Sequence, residues 1–190
     1  MKKIIVIAYL IPFLFGFNLV TGQEIDTLSF YSEEFKEERT VYIHKPQAYK
    51  YKSKSIEFPV IYLLDGQHEW FINPILSDIK YLQYAHEIPN AIVVVIPLKN
   101  RNKECDIPNL DAKLPLDSFL TSELNKKLKE YNPSNFKILI GHSYSASFAL
   151  YSFYNHPKLY SSVIANTPLN KIELLVEKFK EKNMIKKKFQ

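Results

Sequence analysis

An apolar run that ends on Gly141-His142-Ser143 and passes at once into a stretch of small residues leaves this chain few folds to adopt. Residues 136–149 read Phe-Lys-Ile-Leu-Ile-Gly-His-Ser-Tyr-Ser-Ala-Ser-Phe-Ala. The pattern asks for a buried strand, a sharp turn that lifts a serine hydroxyl clear of the sheet, and a helix whose first N–H groups and dipole face the space above it. That is the form of a nucleophile elbow, and it makes Ser143 the candidate nucleophile, with a strained backbone expected there. The usual Gly-x-Ser-x-Gly is incomplete, because Ser145 stands where the second glycine is expected. A side chain at that point must fit between strand and helix, and serine is among the few small enough. The competing reading is a helix that merely begins with a capping serine.

The rest of the chain supports a parallel sheet. Residues 59–64 and 91–96 are short continuous apolar runs, the pattern of strands buried on both faces, and residues 136–140 make a third. Between them, residues 71–86 and 116–131 carry apolar positions three and four apart, as helices packed on a sheet do. Residues 25–31 and 39–44, rich in β-branched and aromatic side chains and separated by charged residues, predict an antiparallel pair at a sheet edge. Strand and helix alternating in this way give an α/β sandwich, mostly parallel with an antiparallel N-terminal pair, whose ligands sit at the carboxyl ends of the strands. The long connection over 97–115 lies at that edge, where loops of such length are often functional.

With 190 residues and 46% hydrophobic content the chain has enough for one core and not comfortably for two, so a single domain is expected. The chain has four glycines, so those at 66 and 141 should occupy backbone positions that other residues cannot take. The formal charge of +5 owes much to lysines at the two ends; without a basic patch interleaved with aromatics, nucleic acid is not expected as a partner. The single cysteine, Cys105, rules out an internal disulfide, and the histidines show no paired helical spacing, so neither a metal nor a cofactor is expected. Met1-Lys2-Lys3, the apolar run over 4–20 and the small residues before position 23 read as a signal peptide over 1–22, which would export the chain to the periplasm or beyond. An uncleaved anchor is the alternative; if the leader is cut, no stable membrane association follows.

Three motifs in fixed order now resemble one family: Pro-Val-Ile-Tyr-Leu-Leu-Asp-Gly at 59–66, Asn-Arg-Asn-Lys-Glu-Cys-Asp-Ile-Pro at 100–108, and the elbow at 141–143. Together they are similar to the putative esterase family of α/β-hydrolases, which contains esterase D-like and enterochelin-esterase-type enzymes. The resemblance implies that Ser143 accepts the acyl group of a small carboxylic ester or thioester. It makes the Tyr144 N–H one oxyanion donor and puts the second at Gly66 or Gln67, where a glycine would allow close approach to the substrate oxygen. Asp65 and Arg101 are expected to brace these loops, and Asp106 with Pro108 to hold the turn of the long connection.

The catalytic acid and histidine that the resemblance requires after the serine are not found. No aspartate follows Ser143, and the one later histidine, His156, reads as a surface or capping residue at the end of the elbow helix. His68, beside the Gly66-Gln67 loop, is the best surrogate base, although with Glu69 next to it a surface hydrogen bond is the simpler expectation. Where a complete member would begin its next strand, this sequence ends, so residues 23–190 are expected to be an incomplete domain missing the last strands. The strand over 162–165 would then have an unpaired side, and the helix over 172–179 an apolar stripe without its full partner, which invites self-association. The sequence thus suggests a serine ester hydrolase carrying the nucleophile half of a site or, alternatively, a catalytically inactive binding protein on the same fold.

Overall fold

The computed structural model describes residues 24–51, 55–169 and 171–182; the expected signal peptide lies outside them. Residues 58–64 and 92–96 form β3 (Phe58–Leu64) and β4 (Ile92–Ile96), and every residue of β4 is buried, as expected for strands covered on both faces. With β1 (Ile25–Ser32), β2 (Glu37–His44), β5 (Pro133–His142) and β6 (Ser162–Asn166) they make one six-stranded sheet in the order β1-β2-β4-β3-β5-β6. β4, β3, β5 and β6 run parallel, whereas β1 pairs β2 and β2 pairs β4 antiparallel. The three apolar runs are therefore neighbours, and the charged hairpin lies at the edge as the sequence suggested.

Side-chain alternation along the parallel strands sorts the core into two layers. Ile61, Leu63, Val93, Val95 and Ile140 pack against Phe71, Ile72 and Ile79 of helix α1 (Glu69–Tyr84). Tyr62, Leu64, Ile92, Val94, Ile96 and Leu139 face the other way, toward Phe148 and Ala149 of helix α5 (Tyr144–Asn155). On that side the helical segment expected over 116–131 is present but not regular: α3 (Pro115–Ser118) widens into a π turn over Phe119–Leu124, returns to α4 (Asn125–Lys127) and tightens into a 3-10 turn over Leu128–Tyr131. Phe119, Leu120, Leu124 and Leu128 are all buried. From the π turn, Glu123 accepts hydrogen bonds from the Ser32 hydroxyl at 2.6 Å and the Glu33 N–H at 2.8 Å, fastening the β1–β2 hairpin to the core.

β6 has β5 on one side and no strand on the other among the described residues, and Ile164 is half exposed on it. The stripe on α6 (Ile172–Glu181) is covered in part: Leu175 and Phe179 are buried, with Phe179 against the rings of Phe153 and Tyr154 of α5, while Ile172 and Val176 stay partly exposed.

Candidate active site

β5 ends at His142 and α5 begins at Tyr144, leaving Ser143 alone at the apex with φ 58° and ψ −115°. A non-glycine residue in that region is strained by about 1–3 kcal/mol and persists only where its surroundings hold it. Three features hold it. Gly141 has no Cβ because one would run into the Ser145 carbonyl on the first turn of α5. The Ser143 N–H donates to the Asn166 carbonyl at the end of β6 at 2.9 Å, while the Ser143 carbonyl accepts from Ala146 and Ser147. The Ser143 side chain makes no capping bond to its helix, so the hydroxyl is free of the role that a plain N-cap serine would play.

The third feature is a buried carboxylate. Asp65 follows β3 with φ 65° and no exposed surface. It accepts from Arg101 Nε at 2.6 Å and Nη2 at 3.3 Å, and from the Ser145 hydroxyl at 2.6 Å. Ser145 in turn accepts from the His142 N–H at 2.8 Å, and Arg101 Nη2 donates to the His142 carbonyl at 2.6 Å. The residue that replaces the second glycine of the motif is thus a link in a chain joining β3, the helix α2 (Arg101–Glu104) and the elbow. The expected brace between Asp65 and Arg101 is present. The tie to Ser145 was missed; a serine at a glycine position facing an aspartate at the end of the neighbouring strand was the signal.

The long connection is fixed from its other side by a second buried pair. Arg39 donates to Glu104 in a fork, at 3.2 and 2.7 Å, lies over the Phe35 ring at 4.1 Å, and also reaches the Pro97 carbonyl. Asp106, expected to hold this loop, is exposed and makes no side-chain bond among the described residues; Arg101 and Glu104 do that work from one turn of helix. Cys105, which follows Glu104, is buried, and burial raises its thiol pKa far above the ordinary range, so it is no competing nucleophile.

Of the two loop positions considered for the second oxyanion donor, Gly66 has its N–H committed to the Ile96 carbonyl at 3.0 Å, while the backbone N–H of Gln67 makes no backbone bond among the described residues. A Cβ at Gly66 would stand 2.7 Å from Pro97 N, so a bare glycine lets this loop lie against the end of β4. The Gln67 side chain closes the loop, accepting from the Leu98 N–H at 2.8 Å and donating to Asp65 at 3.3 Å. The Tyr144 N–H opens α5, where no intrahelical acceptor precedes it.

His68 is the residue before α1, not hydrogen-bonded to Ser143 or to Glu69; its Nδ1 is buried without a partner and its ring stacks on Trp70. His156 closes α5 and holds Asp117 at 2.7 Å, about 18 Å of helix away from Ser143. Among the described residues no three His, Cys, Asp or Glu side chains are grouped to hold a metal ion, and no helix is long and apolar enough to cross a membrane.

A family described as Putative esterase matches residues 32–186. A search of curated proteins finds no match. Among solved structures, an IroE-like serine hydrolase from Shewanella oneidensis aligns with a TM-score of 0.70 and 22% identity over 83% of this chain and 57% of its own. Enterochelin esterase from Shigella flexneri aligns at 0.64 and 20%, covering 83% and 41%, and the BES protein from Bacillus cereus at 0.67 and 19%, covering 87% and 70%. At these identities the likeness is one of fold, that of the α/β-hydrolase-type esterases, and the chain spans about half the length of the first two structures.

Proposed function

The chain belongs to the Putative esterase family, and from that premise we propose that it is a serine ester hydrolase, acting on carboxylic esters or thioesters, with Ser143 as nucleophile. The observation that carries this reading is the backbone of Ser143, φ 58° and ψ −115°, held at a strand-to-helix apex with its hydroxyl not used for capping. In acyl transfer the Ser143 oxygen attacks the carbonyl carbon, and the charge that develops on the carbonyl oxygen is met by N–H groups already in place. Tyr144 and Gln67 supply them, while the Asp65–Arg101–Ser145 links keep the two strand ends in register. The serine proton must pass to a base within roughly 2.6–3.2 Å. Among the described residues no histidine is bonded to Ser143, which favours a second reading: a protein that binds esters at this fold with little or no turnover.

Both readings meet in one experiment. Prolonged exposure of the chain to a fluorophosphonate, followed by peptide mass mapping, should give a slow adduct confined to Ser143 and lost in Ser143→Ala. Hydrolysis of p-nitrophenyl acetate should not exceed the residual enhancement of about 10³–10⁴ over water that remains when a triad is incomplete. Rapid turnover abolished by both Ser143→Ala and His68→Ala would make His68 the base and the site complete. An adduct elsewhere would remove Ser143 from the chemistry.

A further inference from the structure

The sheet ends differently on its two sides. The β1 edge carries Asp26 within the strand, bound to Lys45 at 2.8 Å, and is flanked by Glu24, Glu33 and Glu34, so a strand approaching it meets charge. No charged residue lies between Lys158 and Lys171, and β6 sits inside that neutral stretch. It holds no proline and no bulge, pairing in unbroken register with residues 138–142 of β5. Charge, proline and bulges are the devices by which exposed edges avoid pairing, and β6 has none of them.

The last rung of the ladder tells which backbone groups face outward. The Asn166 carbonyl is turned toward β5, where it accepts the Ser143 N–H at 2.9 Å. Residues along a strand alternate in the side to which their N–H and C=O point. Ser162 and Ile164 therefore bond toward β5 as well, and Val163 and Ala165 present theirs to the open side. Among the described residues no backbone bond outside the sheet reaches either of them, and β5 is the only strand beside β6. Side chains alternate in the same way. Val163 packs against the core layer of α5, while Ile164, beside Ile140 on the opposite face, is 50% exposed.

The strand's own chemistry selects its partner. From either end, Ser162-Val163-Ile164-Ala165-Asn166 runs polar, apolar, apolar, apolar, polar. A twofold axis at Ile164 sets an identical antiparallel strand against it with Ile164 opposite Ile164, Val163 opposite Ala165 and Ser162 opposite Asn166. Val163 and Ala165 then form the hydrogen-bonded pairs, each exchanging two bonds, so the outward groups of the strand are satisfied. Ile164 falls at the non-hydrogen-bonded position, where facing side chains come closest. We propose that β6 is the docking edge for a second copy of this chain, paired antiparallel about Ile164 so that two six-stranded sheets continue as one. The pairing concerns assembly and stands independently of the chemistry at Ser143. Its contact is short, below the roughly 1,200 Å² of a stable interface, so the dimer is weak and reversible.

Sedimentation equilibrium of the full chain, from micromolar to millimolar concentration, should follow a monomer–dimer equilibrium. Ile164→Lys sets like charges opposite each other at a position already open to solvent, and Val163→Pro removes an outward N–H without touching a bond to β5. Each should weaken association at least about 10-fold. Thr27→Lys, exposed on the β1 edge, should leave it unchanged. Register is read by disulfide formation, since Cys105 is buried. Ile164→Cys should oxidise to a covalent dimer, and Ser162→Cys mixed with Asn166→Cys should link to each other faster than either links to itself. The cysteine variants keep Val163 and its neighbours in place, so this result does not depend on the folding of Ile164→Lys or Val163→Pro. A chain that stays monomeric throughout, association that survives both Ile164→Lys and Val163→Pro, or Ser162→Cys linking to itself as fast as to Asn166→Cys would overturn the proposal.

Discussion

The two ends of α5 each bring together a serine, a histidine and an aspartate, and they could hardly differ more in what those residues do. At the N-terminal end Ser143 is strained and uncapped, His142 is turned away into a ring cluster, and Asp65 serves the scaffold. At the C-terminal end the Ser152 hydroxyl and His156 both bind one carboxylate, Asp117, at 2.5 and 2.7 Å, and Tyr160 lies within reach of Ser152 at 3.5 Å. There the acid is in the middle. A working triad puts the histidine in the middle, so that it can take the serine proton while the acid orients it. With Asp117 between them, the Ser152 hydroxyl spends its hydrogen bond on the acid and meets no histidine base, and the cluster is a fastener between α3 and α5. Residue types alone do not distinguish a site from a clasp; the order of their bonds does.

The largest expected effect comes from removing the buried acid at the upper end. Asp65→Ala strands a mostly buried Arg101 guanidinium and the fully buried Ser145 hydroxyl, and should cost about 3–5 kcal/mol in urea unfolding, together with slower labelling at Ser143. Asp117→Ala at the lower end strands the Ser152 hydroxyl and should cost about 1–3 kcal/mol while leaving Ser143 labelling as it was. If Asp117→Ala disturbed the labelling as much as Asp65→Ala, the two ends would be one unit and the contrast would fall.

The serines sharpen it with opposite signs. Ser152→Ala loses a satisfied buried bond and should destabilise by about 1 kcal/mol. Ser143→Gly should stabilise by about 1 kcal/mol, because glycine adopts the positive φ without the Cβ penalty even after its greater chain entropy is counted. A destabilised Ser143→Gly protein would mean that the apex is not strained as its dihedrals imply.

How far the sequence alone reached follows the same division. Continuous apolar runs over 59–64, 91–96 and 136–140 and helical spacing between them were enough to identify the central parallel strands, though not their order, because burial on both faces leaves no polar positions to confuse the period. The elbow was legible for the same reason: a strand ending in glycine and followed by small residues has few other uses. Long-range polar pairs were not. Nothing near Arg39 in the chain announces Glu104, 65 positions on, and nothing around Asp117 announces Ser152 and His156, since such partners are set by the way strands and helices stack. The irregular π turn over Phe119–Leu124 was equally hidden, because the buried leucines keep their spacing whichever way the turn is wound.

The smallest effect concerns acid, and it must be removed before either cluster is tested by titration. His44, at the end of β2, has its pKa held below the ordinary 6.5 by burial, so the folded chain binds a proton there less readily than the unfolded chain does. Between the folded value and about 6.5 the unfolded state carries more protons, and stability therefore rises with pH through that window. The contribution is complete above 6.5 and is lost as pH falls toward the folded value. His44→Gln should flatten this part of the urea-midpoint profile while leaving the stability above 6.5 nearly unchanged, apart from the small cost of the altered side chain.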